Sequence, residues 1–169
     1  MSQRRITFRK PGDSHGFTMV ELMITVAVMV ILAAIATPSM IAMINNGRVA
    51  GQTEELVSTL QLARAEAVRR NARVTVCAGT GVVCSGSSTW DSWTIFGRDK
   101  TSATPDANEN IRDTTANASV QVTGPAAGIV YKPSGMIDAA QTLEVDMSGN
   151  KRCITVLISG VVTTSKGAC

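Results

Sequence analysis

Histidine is almost absent from this chain, and the one histidine, His15, lies among the first 16 residues. Histidine is the side chain that most often acts as a general acid or base, and it is a frequent zinc ligand. The remaining sequence also shows no nucleotide-binding motif and no plausible pairing of a nucleophile with a base. The sequence therefore argues against an enzyme, and we expect neither catalytic residues nor a cofactor.

A surplus of positive charge is missing from most of the chain. Residues 1–16 carry four Arg or Lys and one Asp, whereas from Asn45 onward twelve Arg or Lys are balanced by eleven Asp or Glu. Nucleic-acid binders normally show a clustered basic footprint, because neutralised phosphates provide most of the non-specific affinity. We therefore do not expect nucleic acid among the partners. DNA binding would require Lys151, Arg152 and Lys166 to converge with arginines of the helix.

One long apolar run lies near the amino terminus. It extends from Leu22 to Ile44, which is 23 residues. As a helix this run would measure about 34 Å, compared with roughly 30 Å for the hydrocarbon core of a bilayer. The residues within it that are not plainly apolar are Thr25, Thr37, Pro38 and Ser39. Basic residues precede the run, so the positive-inside rule predicts a cytoplasmic amino end and an exported remainder.

The sequence Gly16-Phe17-Thr18-Met19-Val20-Glu21 opens that run. A basic, polar lead-in ends at Gly16, an aromatic residue follows, and Glu21 interrupts the apolar stretch. A carboxylate in a bilayer segment costs roughly 2.5–3.5 kcal/mol on insertion scales, so it is rare unless something pairs with it. A secretory signal cleaved after Ala34-Ile35-Ala36 is one alternative, although Glu21 would disrupt its apolar region. A plain signal anchor with an incidental glutamate is the other.

This pattern resembles the class III signal of type IV pilins and of the pseudopilins of type II secretion. The resemblance implies that a prepilin peptidase cuts between Gly16 and Phe17, and that Phe17 becomes the methylated first residue. It also implies that Glu21 neutralises the charged amino terminus of a neighbouring subunit, because opposite charges in an apolar core are tolerable only as a pair. Residues 1–16 would be the leader, and residues 17–44 a transmembrane helix that later forms the filament core.

The four cysteines all lie on the exported side of the apolar run: Cys77, Cys84, Cys153 and Cys169. An even number of cysteines outside the cytoplasm favours disulfides. Zinc is disfavoured, because the spacings are not paired C-x-x-C and no histidine accompanies them, so we expect no metal site. Four cysteines allow three pairings, and the sequence alone does not choose among them. The local pairs Cys77–Cys84 and Cys153–Cys169 are the simplest.

Residues 45–74 are predicted to continue the helix as an amphipathic segment. Positions at steps of four and three form one stripe that can pack on a sheet: Val49, Thr53, Leu56, Leu60, Ala63 and Ala67. Charged and polar residues are expected mostly off this stripe, on a solvated face: Glu54, Glu55, Gln61, Glu66, Arg69 and Arg70. Pro38 removes a helical hydrogen bond, so we expect a kink or local opening nearby. We assign Pro38, with Glu21, to subunit assembly.

After Arg73 the pattern changes to the alternation of β-strands. The predicted strands are Val74–Cys77, Trp93–Phe96, Ser119–Thr123, Ile129–Lys132, Thr142–Asp146, Arg152–Ser159 and Val161–Thr164. Residues 98–118 contain one large apolar residue, Ile111, and are predicted to be a long, mobile polar loop. Strands that follow one leading helix indicate an α+β fold. We expect a membrane-spanning helix continuing into an antiparallel β-sheet head at residues 75–169.

Several segments of the exported part are similar to the GspH/FimT family of minor pilins and pseudopilins. They are the helix end Leu56–Asn71, the strand Val74–Cys77, the tryptophan-rich strand Trp90–Phe96, and Cys153 with Cys169, which fits the family's closing disulfide. This resemblance implies assembly rather than catalysis, with other pilins or pseudopilins, the prepilin peptidase and inner-membrane lipid as partners. The head would lie in the periplasm, and the subunit would later enter a pilus or pseudopilus.

DNA-binding members of this family carry Gly-Arg-x-Arg near the carboxyl end. Aligned on Gly160, this chain has Gly160-Val161-Val162-Thr163, so both arginines are replaced. The predicted function is therefore that of a structural minor pilin or pseudopilin. The two expected disulfides give a slight preference for a pilus over a type II secretion pseudopilus. A DNA-uptake pilin of the FimT kind is the alternative.

Overall fold

The computed structural model describes residues 16–98 and 107–169, without the side chains at positions 37 and 38. Apart from Gly16, the predicted leader lies outside the described residues. The chain divides into two compact units, Met1–Met40 and Ile41–Cys169. In the described residues, one helix, α1 (Met19–Arg70), precedes all the strands. Helix α1 is assigned without interruption through position 38. The kink expected near Pro38 stays a prediction.

The stripe predicted for the second half of α1 is confirmed. Its six members are all buried, and five of them have no accessible surface: Thr53, Leu56, Leu60, Ala63 and Ala67. Removing such side chains from water is the main force that stabilises a helix on a sheet. This part of α1 is therefore held by the head rather than by its intrinsic helix propensity.

Helix α1 ends at a residue with left-handed backbone conformation, Asn71, and two N–H groups there donate hydrogen bonds to carbonyls of the last turn. Asn71 has a φ of 48°, a region that Asn tolerates better than most residues. The Asn71 N–H donates to the carbonyl oxygen of Val68 at 3.3 Å, and the Ala72 N–H donates to that of Ala67 at 3.2 Å. This pair of hydrogen bonds is the Schellman motif, which stops the helix and turns the chain into the first strand.

The strands that follow form two sheets. In chain order they are β1 (Val74–Thr80), β2 (Val83–Cys84), β3 (Ser92–Arg98), β4 (Asn108–Thr115), β5 (Gln121–Thr123), β6 (Ile129–Tyr131), β7 (Gln141–Met147), β8 (Asn150–Val156) and β9 (Val162–Lys166). One sheet has the order β2-β1-β3-β4, and β6 also pairs with β1. The other has the order β5-β7-β8-β9. Every pairing is antiparallel, so the predicted α+β fold is confirmed.

A single apolar core joins both sheets to the second half of α1. Its largest side chains include Trp90 and Trp93, which are completely buried. The indole N–H of Trp93 donates to the hydroxyl of Thr59 on α1 at 3.3 Å. Every residue of this core lies between Val49 and Val156. Residues 49–156 therefore hold a core of their own, shared by the second half of α1 and the head.

The prediction of a polar loop over residues 98–118 is wrong at Asn108–Thr115, which form strand β4, while residues 99–106 lie outside the described residues. Of the described strands, β4 pairs only with β3, so it forms an edge of that sheet. Edge strands commonly carry polar side chains, which weakens the sequence signal. The register shifts between Ile95 and Phe96, which leaves Ile111 as an extra, bulged residue opposite them. The bulge also breaks the alternation from which strands are recognised.

The remaining predicted strands are present with changed bounds. Strand β8 ends at Val156 rather than Ser159, because the chain turns there. The Leu157 N–H donates to the Val161 carbonyl at 2.9 Å, and the Gly160 N–H donates to the Leu157 carbonyl at 2.7 Å. Strand β9 extends to Lys166 instead of ending at Thr164. The two-residue strand β2 is not among the predicted strands, since so short a segment carries no periodicity.

Candidate functional site

The start of α1 is capped within the motif Gly16-Phe17-Thr18-Met19-Val20-Glu21. The hydroxyl oxygen of Thr18 accepts a hydrogen bond from the backbone N–H of Glu21 at 3.2 Å. Thr18 is thus the N-cap, and Glu21 is the acidic residue of the first turn, where the helix dipole favours negative charge. The Thr-x-x-Glu spacing is that of a capping box, a sequence signal that could have identified this cap. The bond uses the backbone of Glu21 and leaves its carboxylate exposed.

The large apolar side chains around and after the cap are not covered by any of the described residues. Large hydrophobic side chains from Phe17 to Ile44 are exposed, for example Phe17 at 77%, Met29 at 73% and Met43 at 77%. An 18-residue window of α1 reaches a mean hydropathy of 2.6. Helix α1 is therefore long enough and apolar enough to cross a membrane. A surface of this kind otherwise marks a protein–protein contact.

Arg64 of α1 binds two carbonyl groups that the sequence did not connect with it. Arg64 donates through Nε to the Gly135 carbonyl at 3.1 Å and through Nη2 to the Ser159 carbonyl at 3.0 Å. These partners are 71 and 95 residues away, which no local pattern could reveal. Arg64 thereby ties α1 to two turns of the head.

The i,i+4 spacing of Glu66 and Arg70 predicts an ion pair, which the structure confirms, but the two side chains are less exposed than the solvated face predicted for them. The Glu66 carboxylate contacts the guanidinium groups of Arg69 at 2.8 Å and Arg70 at 2.7 Å, and the Arg70 side chain is only 10% exposed. Arg70 also reaches Glu109 on β4 at 3.4 Å. The hydrogen bond from Arg69, together with that from Arg70, lowers the pKa of Glu66 against the opposing effect of burial. Through Arg70, this cluster of charged residues connects the end of α1 to the edge strand β4.

Both local cysteine pairs form disulfides in the structure. Cys77 on β1 is joined to Cys84 on β2, with 5.6 Å between their Cα atoms. Cys153 on β8 is joined to Cys169, with 5.0 Å between their Cα atoms. The first pair holds the short β1–β2 hairpin, and the second fastens the last residue to the sheet. None of the described cysteines is free.

The three basic residues considered for DNA binding line one groove of the head. The groove measures about 510 Å³ and lies between the α1 residues Asn46 and Val49 and the ends of β8 and β9. We call it the basic groove, because Lys151, Arg152 and Lys166 border it. Lys151 is held by Glu144 at 2.6 Å, and that bond raises the Lys151 pKa and lowers the Glu144 pKa. Arg152 and Lys166 stand directly opposite each other across the β8–β9 pairing.

The segment Gly160-Val161-Val162-Thr163 forms the turn between β8 and β9 and the start of β9. Gly160 has a φ of 77°, and a Cβ there would lie 1.9 Å from the Gly135 carbonyl oxygen. The glycine is therefore required by the contact between two turns. In the part of the chain that the structure describes, no cluster of three or more His, Cys, Asp or Glu is placed to hold a metal ion.

Two family models match the chain. The model described as type II transport protein GspH matches residues 52–161, and the prokaryotic N-terminal methylation motif matches residues 12–37. The first match covers more than half of the sequence, and the second contains Gly16, Phe17 and Glu21. A search of the curated proteins gave no match.

Solved structures of two proteins share the fold. The type IV minor pilin FimU of Pseudomonas aeruginosa is 18% identical, with a TM-score of 0.53 over 69% of this chain and 91% of its own. The minor pseudopilin EpsH from the type II secretion system of Vibrio cholerae is 13% identical, with a TM-score of 0.53 over 75% of this chain and 99% of its own. The exposed apolar helix and the antiparallel head thus define a minor pilin or pseudopilin of the type IV pilin-like class. The chain belongs to the GspH family.

Proposed function

We propose that this chain is a minor subunit of a type IV pilus, exported and processed before it assembles. Cleavage between Gly16 and Phe17 removes residues 1–16, and Phe17 is then methylated. Residues 17–44 anchor the subunit in the inner membrane. The observation that carries the proposal is the exposed carboxylate of Glu21 in the first turn of an otherwise exposed apolar helix. The match of residues 12–37 to the N-terminal methylation motif supports it.

The role proposed for Glu21 follows from the cost of an isolated charge in an apolar environment. In a filament core the carboxylate loses its contact with water, and it is tolerable only with a partner of opposite sign. Cleavage after Gly16 creates such a partner, because the methylated amine of Phe17 keeps its positive charge. We propose that Glu21 of one subunit pairs with the amino terminus of Phe17 in the next subunit. We also propose that Pro38 allows the helix to kink or open locally where subunits pack.

Fewer observations bear on the choice between a pilus and a secretion pseudopilus. FimU is described as a type IV minor pilin and EpsH as a minor pseudopilin, so the similar structures support either. The two disulfides are the reason for placing the subunit in a pilus. The head, residues 75–169, would lie in the periplasm before assembly. Genes for pilus biogenesis flanking this gene would support the pilus, and a secretion operon would assign it to the pseudopilus.

Intact-mass measurement of the membrane-extracted protein tests the processing step. The mass should correspond to residues 17–169 with one added methyl group. Expression without prepilin peptidase provides the control, and that sample should retain residues 1–16. A mature protein that begins after Ala36 would overturn the proposal, because it would identify an ordinary secretory signal.

DNA uptake is the second candidate function, and the basic groove is the observation in its favour. Against it, Lys151 is already paired with Glu144, and Val161 and Thr163 stand where DNA-binding relatives have arginines. We expect a soluble fragment that begins near Asn45 to bind duplex DNA weakly or not at all, because few counterions can be released. Fluorescence anisotropy at two salt concentrations measures this. Micromolar binding with a steep salt dependence, abolished by Lys166→Ala, would favour DNA uptake instead.

A further inference from the structure

The basic groove places two positive charges side by side without an anion between them. Arg152 and Lys166 are direct partners in the β8–β9 pairing, and like charges in that relationship are destabilising. Within the described ranges, 16–98 and 107–169, neither side chain takes part in an ion pair. An anion bound between the two side chains would remove the repulsion.

The alternation of the sheet separates this pair from the nearest acidic residues. Arg152 is opposite Val145, which is completely buried, so Arg152 and Lys166 belong to the face of the sheet that turns toward α1. Lys151 is opposite Asp146 and bound to Glu144, and these three belong to the other face. Glu144 and Asp146 therefore offset the charge of Lys151 but not the charges of the Arg152–Lys166 pair in the groove.

The groove also lies close to the end of the apolar run. Asn46 and Val49, which line it, follow Ile44 by two and five residues, or about 3 and 8 Å along a helix. The headgroup layer on each side of a bilayer is roughly 5–8 Å thick, from the difference between its total and hydrocarbon thickness. Residues 41–49 and the groove belong to the same compact unit. When Ile44 is at the edge of the hydrocarbon, the groove is at headgroup level.

We propose that the basic groove binds the phosphate of an anionic phospholipid headgroup while the subunit is inserted in the membrane. Arg152 offers a planar fork of donors that matches phosphate oxygens, and Lys166 adds a compact charge. Anionic lipids attract basic residues near the membrane surface. The inference rests on the proposed function, because it requires residues 17–44 to span the bilayer. Such a contact would hold the head at the membrane until the subunit is extracted.

Hydrogen exchange of the full chain in lipid nanodiscs tests the proposal. Discs of phosphatidylcholine are compared with discs that also contain phosphatidylglycerol. We expect amides of Gly149–Arg152 and Lys166–Ala168 to exchange at least about fivefold more slowly with the anionic lipid present. The double variant Arg152→Gln and Lys166→Gln should lose this difference. The double variant Arg112→Gln and Lys132→Gln, which also removes two positive charges but none from the groove, should retain it.

Two additions to the phosphatidylcholine discs identify the source of the phosphate. Inorganic phosphate or duplex DNA that protects the same amides as well as phosphatidylglycerol would overturn the assignment to a lipid. Equal exchange in both kinds of disc would overturn the groove proposal alone, provided that the chain inserts normally. A chain that fails to insert, or that is cleaved after Ala36, would instead contradict the proposed function.

Discussion

The guanidinium of Arg64 donates a hydrogen bond of 3.1 Å to the carbonyl oxygen of Gly135, which joins the middle of α1 to a turn 71 residues later. A Cβ at Gly160 would lie 1.9 Å from that same carbonyl oxygen and 3.0 Å from Nε of Arg64. One carbonyl group is therefore enclosed by an arginine and by the turn between β8 and β9. This contact joins α1 to two turns of the head.

Gly160→Ala should destabilise the head strongly. The new methyl group has no space, and the φ of 77° at this position is itself unfavourable for alanine. Gly149→Ala is the matched control, because Gly149 has a φ of 84° with nothing within 4 Å of the added atom. We expect a loss of about 1 kcal/mol for the control, the usual cost of positive φ, and at least about 2 kcal/mol more for Gly160→Ala. Denaturant unfolding measures both, and equal losses would contradict the close contact.

Glu66→Gln should remove part of the acid sensitivity of the head. Because the pKa of Glu66 is lowered in the folded state, its contribution is complete above the usual carboxyl range near 4.5 and is lost as the pH falls through the lowered value. At neutral pH the variant should lose about 1 kcal/mol of unfolding free energy, and in acid the difference should vanish. Glu54→Gln, an exposed position on the same helix, serves as control. A loss that persists unchanged in acid would show that the charge is not responsible.

The sequence predicted those parts of the fold that depend on local pattern. The buried stripe from Val49 to Ala67 follows from the helical period, and strands such as β1 and β7 follow from alternation. Strand β4 is not evident from the sequence, because an edge strand does not need apolar residues on both faces and because Ile111 interrupts its register. The helix cap at Thr18 could have been predicted, since its spacing to Glu21 is a known signal.

The contacts that organise the candidate sites could not be derived in the same way. Arg64 finds its acceptors across 71 and 95 residues, and Arg70 reaches Glu109 across 39. Sequence spacing identifies neighbours on one helix or one hairpin, but it says nothing about which distant turn will approach. For the same reason, the sequence identifies the cations of the basic groove only singly, while the direct pairing of Arg152 with Lys166 depends on the strand register.

Tyr131→Phe should make the head less sensitive to alkali. Burial raises the pKa of Tyr131 to about 12, against a smaller opposing effect of Arg64. In the unfolded chain the phenol ionises near pH 10, so the stability it contributes is present below pH 10 and is lost as the pH rises toward 12. This loss is at most about 2.7 kcal/mol, since one pKa unit corresponds to about 1.4 kcal/mol.

Ultraviolet absorbance can follow the ionisation directly, because Tyr131 is the only tyrosine in the sequence. The phenolate band should appear near pH 12 in the folded protein and near pH 10 in denaturant. The stability of the Phe variant should fall less than that of the parent between these values. Ionisation near pH 10 in the folded state would contradict the burial of the hydroxyl group.

The head of the purified protein should contain the disulfides Cys77–Cys84 and Cys153–Cys169. Non-reducing peptide mapping decides this, and a Cys77–Cys153 peptide would contradict it. The second bridge closes a loop across a separation of 16 residues, and the chain-entropy model gives about 3 kcal/mol for a loop of that size. Replacing Cys153 and Cys169 together by serine should lower the unfolding free energy by that order. The amide hydrogen of Cys169 should then exchange faster, because the disulfide no longer holds the chain end where that N–H donates to the Glu144 carboxylate.

Glu21→Ala should leave membrane insertion intact and reduce incorporation into filaments. Insertion becomes easier when a carboxylate is removed from the apolar run, so any defect must arise where subunits meet. The Thr18 cap remains, because it binds the backbone of Glu21 and not its side chain.

Thr25→Ala is the control one turn later. It removes a hydroxyl that donates to the Leu22 carbonyl at 2.9 Å and changes no charge. Immunoblots of membrane and sheared-filament fractions should show normal membrane levels for both variants and loss from filaments for Glu21→Ala alone. Normal filament levels in Glu21→Ala would rule out the pairing of Glu21 with the amino terminus of Phe17.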